Sequence, residues 1–300
     1  MTWPHQSVLL AETLAALAPK SGERFVDCTA GAGGHAEALL DAADCAVLLI
    51  DRDPNALAIA RERLARFGDR AKFSQGSFGD LKMILDEAGW STVDGILADL
   101  GVSSIQLDTP GRGFSFRLDG AVDMRMDPSA ELSASDLVET WTEEDLTHVI
   151  ATYGEERHAR RIARAIVQKR PFKNTLELAA AIAAVVPTHG PPRIHPATRT
   201  FQALRIQVND ELGQLNKLLP AAVEALLPGG RIAILSFHSL EDRIVKQFLA
   251  LESGRTAPRN AYGHPVTAPR LSAPPSQIPS ATDPNPRARS ARLRTGVRLP

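Results

Sequence analysis

Hydrophobic positions in the first hundred residues switch between two periods. Short apolar runs at Arg24 to Cys28, Ala46 to Ile50 and Gly95 to Leu100 alternate with helical spacing at Gly34 to Leu40 and Pro54 to Phe67. Strands alternating with helices in this way predict βαβ units and a parallel sheet. Beyond Gly101 the alternation stops: residues 105 to about 205 hold no convincing buried strand, but helical patterning runs near 133–152, 155–169 and 175–186. A further helix is expected over Asp210 to Leu227, stopped by Pro228, Gly229 and Gly230, then an apolar strand at Arg231 to Phe237 and a helix at Glu241 to Glu252. Nine of the 21 prolines lie beyond Gly254, so Arg255 to Pro286 reads as an irregular, partly mobile loop, and Ser290 to Leu299 alternates as a closing edge strand. The expected architecture is an α/β sheet domain of residues 1–104 plus 206–300, interrupted by a mainly helical domain of residues 105–205.

Composition changes this picture little: of 300 residues, 44% are hydrophobic and 23% charged, as in an ordinary globular protein. Two cysteines, Cys28 and Cys45, exclude a disulfide scaffold, offer no CxxC pair for zinc and point to a reducing, cytoplasmic address. Met1 to Ala18 contains no Lys or Arg and lacks the charged start of a secretory signal. The longest nearly apolar run, Leu178 to Val186, is about half a membrane span, so no membrane partner is expected.

Charge changes it more. The formal net charge is −1, which taken whole discounts a polyanionic partner. Residues 151–210, however, hold ten basic side chains against four acidic ones, and residues 255–300 hold eight arginines against Asp283 alone. The near-zero total is a cancellation between an acidic body and two basic segments. Arg-dominated segments suit phosphate, which a guanidinium fork binds bidentately. Within the first segment Ala159, Ile162, Ala163 and Ile166 make an apolar helical stripe, with Arg157, Arg160, Arg161 and Arg164 opposite. The alternative is a surface helix paired with acidic neighbours.

Candidate chemistry clusters where predicted strands end. Asp27 to His35 reads DCTAGAGGH, a glycine turn between the first strand and its helix, where backbone can approach a ligand and helix amides face it. Gly31, Gly33 and Ala36 match a loose GxGxxA dinucleotide pattern, with Asp51 twenty residues on. Alone that pattern is weak. Its charge is more informative: Asp27 ahead of the glycines would repel a pyrophosphate but favours the ammonium and sulfonium of S-adenosylmethionine. Asp51, ending the second strand, suits ribose hydroxyls, while Asp53 and Pro54 read as helix cap and first turn. Gly76, Ser77 and Phe78 are placed to hold an adenine by apolar contact, and Asp99 ends the fourth strand.

Ten ordered stretches between residues 5 and 290 then carry a specific resemblance. HQSVLLAE (His5 to Glu12), DCTAGAGGH, IDRDP (Ile50 to Pro54), DLGVSSIQLD (Asp99 to Asp108) and RGFSF (Arg112 to Phe116) are joined by DMRMD (Asp123 to Asp127) and YGEER (Tyr153 to Arg157). HPATRTFQALRI (His195 to Ile206), SFHSLEDRIVK (Ser236 to Lys246) and NPRARS (Asn285 to Ser290) complete the set. Together they resemble the RsmH/MraW family, the bacterial 16S ribosomal RNA cytosine-N4 methyltransferases. The resemblance implies a Rossmann-like S-adenosylmethionine-dependent methyltransferase sheet with an inserted helical domain that recognises the RNA substrate. It also implies a target cytosine in the decoding centre of the small ribosomal subunit. Carried across by motif, it implies cofactor binding by Gly33, Gly34, His35, Asp51, Phe78, Asp99 and Gln106, beside the Asp27 and Gly31 read from the turn itself.

Methyl transfer from a sulfonium is an in-line displacement that needs no metal, and the sequence contains no metal-ligand cluster. Cytosine N4 is a poor nucleophile, so an acceptor for its protons is expected. Many amino-methyltransferases place a D/N/S-P-P-aromatic element at the fourth strand; here Asp99 is followed by Leu100, Gly101 and Val102. Asp99 is the first catalytic candidate, with Ser103 and Ser104 as helpers or alternatively turn caps, and with Phe237 and His238 as base contacts. Reaching the base requires flipping or a single-stranded segment, and Arg112, Phe114, Phe116, Arg160, Arg161, Arg164, Arg199 and Arg205 are the candidate RNA contacts. An NAD-dependent oxidoreductase and a non-catalytic RNA-binding assembly factor are the competing classes.

Overall fold

A computed structural model of the chain describes residues 7–187, 194–263, 265–280 and 286–300. His5, Gln6, Arg193 and Asn285, parts of the segments above, lie outside the described residues. The chain divides into two compact units, Met1–Gly101 with Leu212–Pro300, and Val102–Glu211. No helix among the described residues is long and apolar enough to cross a membrane.

The first unit carries a seven-stranded sheet of β1 (Arg24–Asp27), β2 (Ala46–Asp51), β3 (Ala71–Gln75), β4 (Val93–Asp99), β5 (Leu226–Ser236), β6 (Leu271–Ser272) and β7 (Arg292–Arg298). Their spatial order is β3-β2-β1-β4-β5-β7-β6. The first five run parallel, and β7 is antiparallel to both neighbours. Helices α1 (Leu10–Leu17), α2 (Gly34–Ala42), α3 (Pro54–Leu64) and α4 (Leu81–Glu87) belong to this unit. The second unit follows with α5 (Ser104–Asp108), α6 (Ala134–Thr140), α7 (Glu143–Gly154), α8 (Ala159–Lys169), α9 (Thr175–Ala183) and α10 (Thr198–Asn209). The chain then returns to the first unit through α11 (Glu211–Ala225) and α12 (Ser239–Glu252).

Alternation within each strand feeds two cores. Phe25, Val47, Leu49 and Leu97 turn to one face, under Leu17, Leu39, Leu57 and Leu64 from α1, α2 and α3. Val26, Leu48, Ile50 and Ile96 turn to the other, under Leu81, Leu215, Leu219 and Val245 from α4, α11 and α12. Each such side chain contributes roughly 1.5–3 kcal/mol on burial, and covering both faces explains the nearly continuous apolar runs. The strand order runs outward from β1 through β2 and β3 on one side and from β4 to β5 on the other, so the parallel carboxyl ends of β2, β1 and β4 lie side by side at the switch point, the usual ligand position in such sheets.

Four sequence expectations are corrected here. The last strand is not an edge: β7 lies between β5 and β6, and the edge strand β6 comes from the segment read as irregular loop. Leu271 is buried in the core, and Arg270 grips Glu252 through Nε and Nη2 at 2.6 and 2.8 Å, which anchors that edge. Pro228, Gly229 and Gly230 do not precede the strand but bulge within it. Leu226 pairs with Val93, residues 227–230 loop out, and Arg231 resumes pairing at Gly95. The helical run near 133–152 is two helices, because Thr142 accepts a hydrogen bond from the Asp145 amide and starts α7 afresh. Helix α10 covers Thr198–Asn209, where no helix was read.

In the second unit the apolar stripe of α8 is buried as its periodicity predicts, with Ile162, Ala163 and Ile166 packed on Leu146, Ile150, Leu178 and Leu204. The segment before α6 has no regular structure and is tied down by Asn209. Its Oδ1 accepts the Met126 amide at 2.7 Å, and its Nδ2 donates to the carbonyls of Met124 at 2.7 Å and Arg205 at 2.9 Å. Asn209→Ala should therefore leave buried backbone groups unsatisfied and cost about 2–4 kcal/mol in urea unfolding. A loss no larger than that of an exposed-site control would show that the network does not hold the segment.

Candidate functional site

Three neighbouring strands end on carboxylates. Asp27 of β1 pairs in register with Leu49 of β2 and Leu97 of β4, so Asp51 and Asp99 each stand two residues beyond the register of Asp27. The turn after β1 organises them. Gly31 donates its amide to Asp51 Oδ2 at 2.8 Å, and the Asp53 amide donates to Asp51 Oδ1 at 2.9 Å. Thr29 hands its amide to Asp27 Oδ1 at 3.1 Å, while its hydroxyl accepts the Asp99 amide at 2.6 Å. Among the described residues Asp99 Oδ1 is buried without a hydrogen-bond partner.

Two glycines shape this turn. Gly33 caps α2 at φ 78°, and a Cβ there would lie 3.2 Å from Leu64 Cδ1. A Cβ on Gly34 would collide with Ser7 Oγ. The turn therefore passes tightly over α3 and ends at helix amides without intrahelical partners.

Electrostatics at this end of the sheet is unusual. Burial, joined by the neighbouring Asp51 charge, pushes Asp27 up to about 7 despite the Thr29 hydrogen bonds. Asp99 keeps 26% of its side chain accessible, yet desolvation, Asp27 and Glu241 push it up to about 8. Asp51 is raised as well, chiefly by desolvation, with its two amide donors opposing. Burial lowers His35 to about 4, so its ring is neutral. Its Nε2 faces the Val8 carbonyl at 3.2 Å, which places the proton on Nε2 and leaves Nδ1 as an acceptor 3.6 Å from Asp99 Oδ2. Such a cluster of proton-retaining carboxyls favours a ligand that brings positive charge.

The other expected residues of this unit divide. Phe78 is half-buried against the core with the Arg52 guanidinium 6.0 Å from its ring centroid, beside Ser77, whose hydroxyl meets Gln214 Oε1 at 2.6 Å. Asp53 caps α3 ahead of Pro54, as its spacing suggests. His238, a candidate base contact, caps α12: Nδ1 accepts the Glu241 amide at 3.4 Å and Nε2 lies 3.1 Å from Glu241 Oε1. Thr29 and Glu241 were not singled out from sequence. Glu241 is buried, and its Oε2 accepts the amides of Phe237 and His238 at 2.9 and 3.3 Å. The glutamate three residues after the cap was its only sequence signal.

In the second unit Ser103 caps α5 by accepting the Gln106 amide at 3.3 Å, and Gln106 Oε1 accepts the Ser103 amide at 3.1 Å. Ser103 thus occupies the turn-cap position that stood as the alternative to its helper role, with Ser104 as the first residue of the helix. Two expected RNA contacts are corrected. Phe114 is buried in the core, and Arg205 is spent on Glu211 through Nε and Nη2 at 2.7 and 2.9 Å. Arg112 donates to the carbonyls of Arg125 and Met126, both at 2.9 Å. Phe116 stacks on His195 with centroids 4.7 Å apart. Arg199 is exposed, 3.6 Å from Glu156. Arg160 and Arg164 are 79% and 53% exposed, each within 3.6 Å of Glu143, and Arg161 is exposed beside them.

Comparison with known proteins covers nearly the whole chain. The model of the MraW methylase family matches residues 2–298. The chain is 48% identical over 304 residues to "Ribosomal RNA small subunit methyltransferase H" of Parvibaculum lavamentivorans, covering 98% of this chain and 89% of that one. It is 50% identical over 307 residues to the protein of the same name in Trichlorobacter lovleyi, covering 98% of both. A crystal structure of an rRNA methylase from Streptococcus thermophilus aligns over 100% of both chains with 10% identity and a TM-score of 0.47.

The raised carboxyls carry a measurable signature. A group whose native pKa lies above its unfolded value binds more protons when folded, so stability falls as pH rises toward the native pKa. His35 opposes this only below its ordinary range, which leaves about pH 6.5 to 8 as the clean window. The unliganded chain should lose stability across that window in thermal unfolding, and Asp99→Asn should flatten the loss. An equal slope in the variant would mean that Asp99 does not hold its proton.

Proposed function

The chain belongs to the MraW methylase family, and from that premise we propose that it methylates the exocyclic N4 of a cytosine in the decoding centre of 16S ribosomal RNA, acting on the small subunit with S-adenosylmethionine. One observation carries the reading: three adjacent strands end on Asp27, Asp51 and Asp99 around a glycine turn, with an excess of buried carboxyl and a buried, unpartnered Asp99 Oδ1. That donor set fits a ligand with hydroxyls and two positive groups, and it opposes a pyrophosphate.

Asp51, held by two loop amides, is left with its remaining lone pairs for ribose hydroxyls. Gly33, Gly34 and His35 at the amino end of α2 suit the methionine carboxylate, Asp27 its ammonium, and Phe78 the adenine. When bound, the cofactor supplies an electrophilic methyl on sulfur. Its positive charge would draw Asp27 and Asp99 into their ionised forms. Asp99 Oδ1 would then accept one N4 hydrogen of the cytosine, orient the nitrogen lone pair and take that proton as the carbon–nitrogen bond forms and the carbon–sulfur bond breaks, its electron pair staying on sulfur. His35 and Thr29 act by holding Asp99 in place. Gln106 is assigned to the cofactor by family position alone. The exposed arginines Arg160, Arg161 and Arg164, with Arg199, are proposed to meet RNA phosphates.

Asp99→Ala should lower transfer of label from S-adenosylmethionine to unmodified small subunits by at least about a hundredfold, within the usual range for losing a proton acceptor. Retained activity, or methyl mapped to a position other than cytosine N4, would sink this assignment.

Replacing Arg160, Arg161 and Arg164 together by glutamine should weaken subunit binding and reduce the log–log salt slope by about 2–3. An unchanged slope would show that those side chains do not meet phosphate.

A further inference from the structure

The motif Ser236 to Lys246 is only partly absorbed by the site above, since Glu241 pins Phe237 and His238 while the next turn of α12 faces elsewhere. Between α12 and β7 lies a cleft of about 410 Å3, lined by Phe237, His238, Asp242, Arg243, Lys246 and Arg292. That volume falls in the range of small-ligand sites, about 300–1,000 Å3.

Its charge is one-sided. The carboxylate of Asp242 is committed to Arg294, whose Nε and Nη2 reach it at 2.7 and 3.1 Å, with Arg292 Nε farther off at 3.9 Å. Glu241 is turned inward to backbone amides. Against Asp242 alone, the lining carries the exposed side chains of Arg243, Lys246 and the 49% exposed Arg292, at the positive end of a 14-residue helix. Its inner end is set by the sheet. Asp99 pairs with Leu235, so Phe237 stands two residues past that register, and its ring lies 3.7 Å from where a Cβ on Gly101 would be. The cleft therefore opens beside the end of the strand that carries Asp99 and leads away from it along α12.

We propose that this cleft holds the phosphodiester backbone of the RNA strand next to the target base, with Arg243, Lys246 and Arg292 on phosphate and Phe237 against a flanking base. The proposal rests on the reading of RNA as substrate and adds a specific surface to it. A cation cluster in line with an aromatic ring is the arrangement that binds single strands: the charges follow the backbone, and a ring offers stacking to any base. Splaying a base out of its stack leaves its neighbours' phosphates to be held, which is the work this cleft would do.

The test uses the full chain and a labelled single-stranded oligoribonucleotide of about ten nucleotides, followed by fluorescence anisotropy across a salt series. Replacing Arg243, Lys246 and Arg292 by alanine should weaken binding about tenfold or more at low salt and reduce the log–log salt slope by about 2. Equilibrium binding of S-adenosylmethionine should stay unchanged, showing that the variant is folded. Lys246→Glu alone, on an exposed helix position, should weaken oligonucleotide binding in the same direction if the triple variant is unstable. Wild-type affinity and slope in the variants would overturn the proposal, as would an unaltered chain with no salt-sensitive binding. Oligonucleotide binding through the cleft without methyl transfer to small subunits would defeat the substrate reading and leave the cleft standing. Transfer with an unaltered KM for subunits in the triple variant would do the reverse.

Discussion

Like charge gathered in a low-dielectric place sets the terms for the first unit. Parallel pairing of β2, β1 and β4 brings their carboxyl ends together, and each of the three strands ends on aspartate. Burial penalises the ionised form of each, and neighbouring carboxylates (Asp51 for Asp27, Asp27 and Glu241 for Asp99) add to it, so the two are pushed up to about 7 and about 8. The surroundings are organised around that strain. Thr29 bridges the ends of β1 and β4, the glycine turn donates the Gly31 amide to Asp51, and His35 stays neutral with its acceptor nitrogen toward Asp99. A polar end that is costly by itself is one that a cationic ligand relieves.

The second unit handles charge differently. Its sequence excess of arginine divides between side chains that hold the fold and side chains left on the surface. Arg205 grips Glu211 bidentately, Arg170 donates to the Trp141 carbonyl and Arg112 bridges two carbonyls before α6. Arg160, Arg161 and Arg164 remain on the outer face of α8. A guanidinium serves both purposes because its planar fork matches a carboxylate or a pair of carbonyls as well as a phosphate. Residue type therefore predicted affinity for anions without saying which anion each arginine would meet.

The legible parts of the site share one property, that a local pattern sufficed. Asp51 and Asp99 each close an apolar strand, Gly33 occupies a left-handed position, and Asp53 with Pro54 forms a helix start that reads from three residues. The illegible parts needed distant partners. Thr29 matters because its hydroxyl meets the amide of a residue seventy positions away, and Asn209 because it ties down Met124 and Met126. Phe114 carries the residue type of an RNA contact, yet packing buries it, and the capping bond of His238 to Glu241 is set by the fold of α12.

The sequence alone determined the alternation of strands and helices, the interruption after Gly101, the acidic strand ends and the segregation of charge, because periodicity and composition are local quantities. Tertiary structure alone decided the strand order that makes three aspartates neighbours, the placement of β7 inside rather than at the edge, and the shift of their pKa values. It also decided which arginines are consumed as internal ties and which line the cleft beside α12. Those outcomes depend on burial and on pairing across tens to hundreds of residues, where desolvation and geometry, rather than residue identity, set the energy.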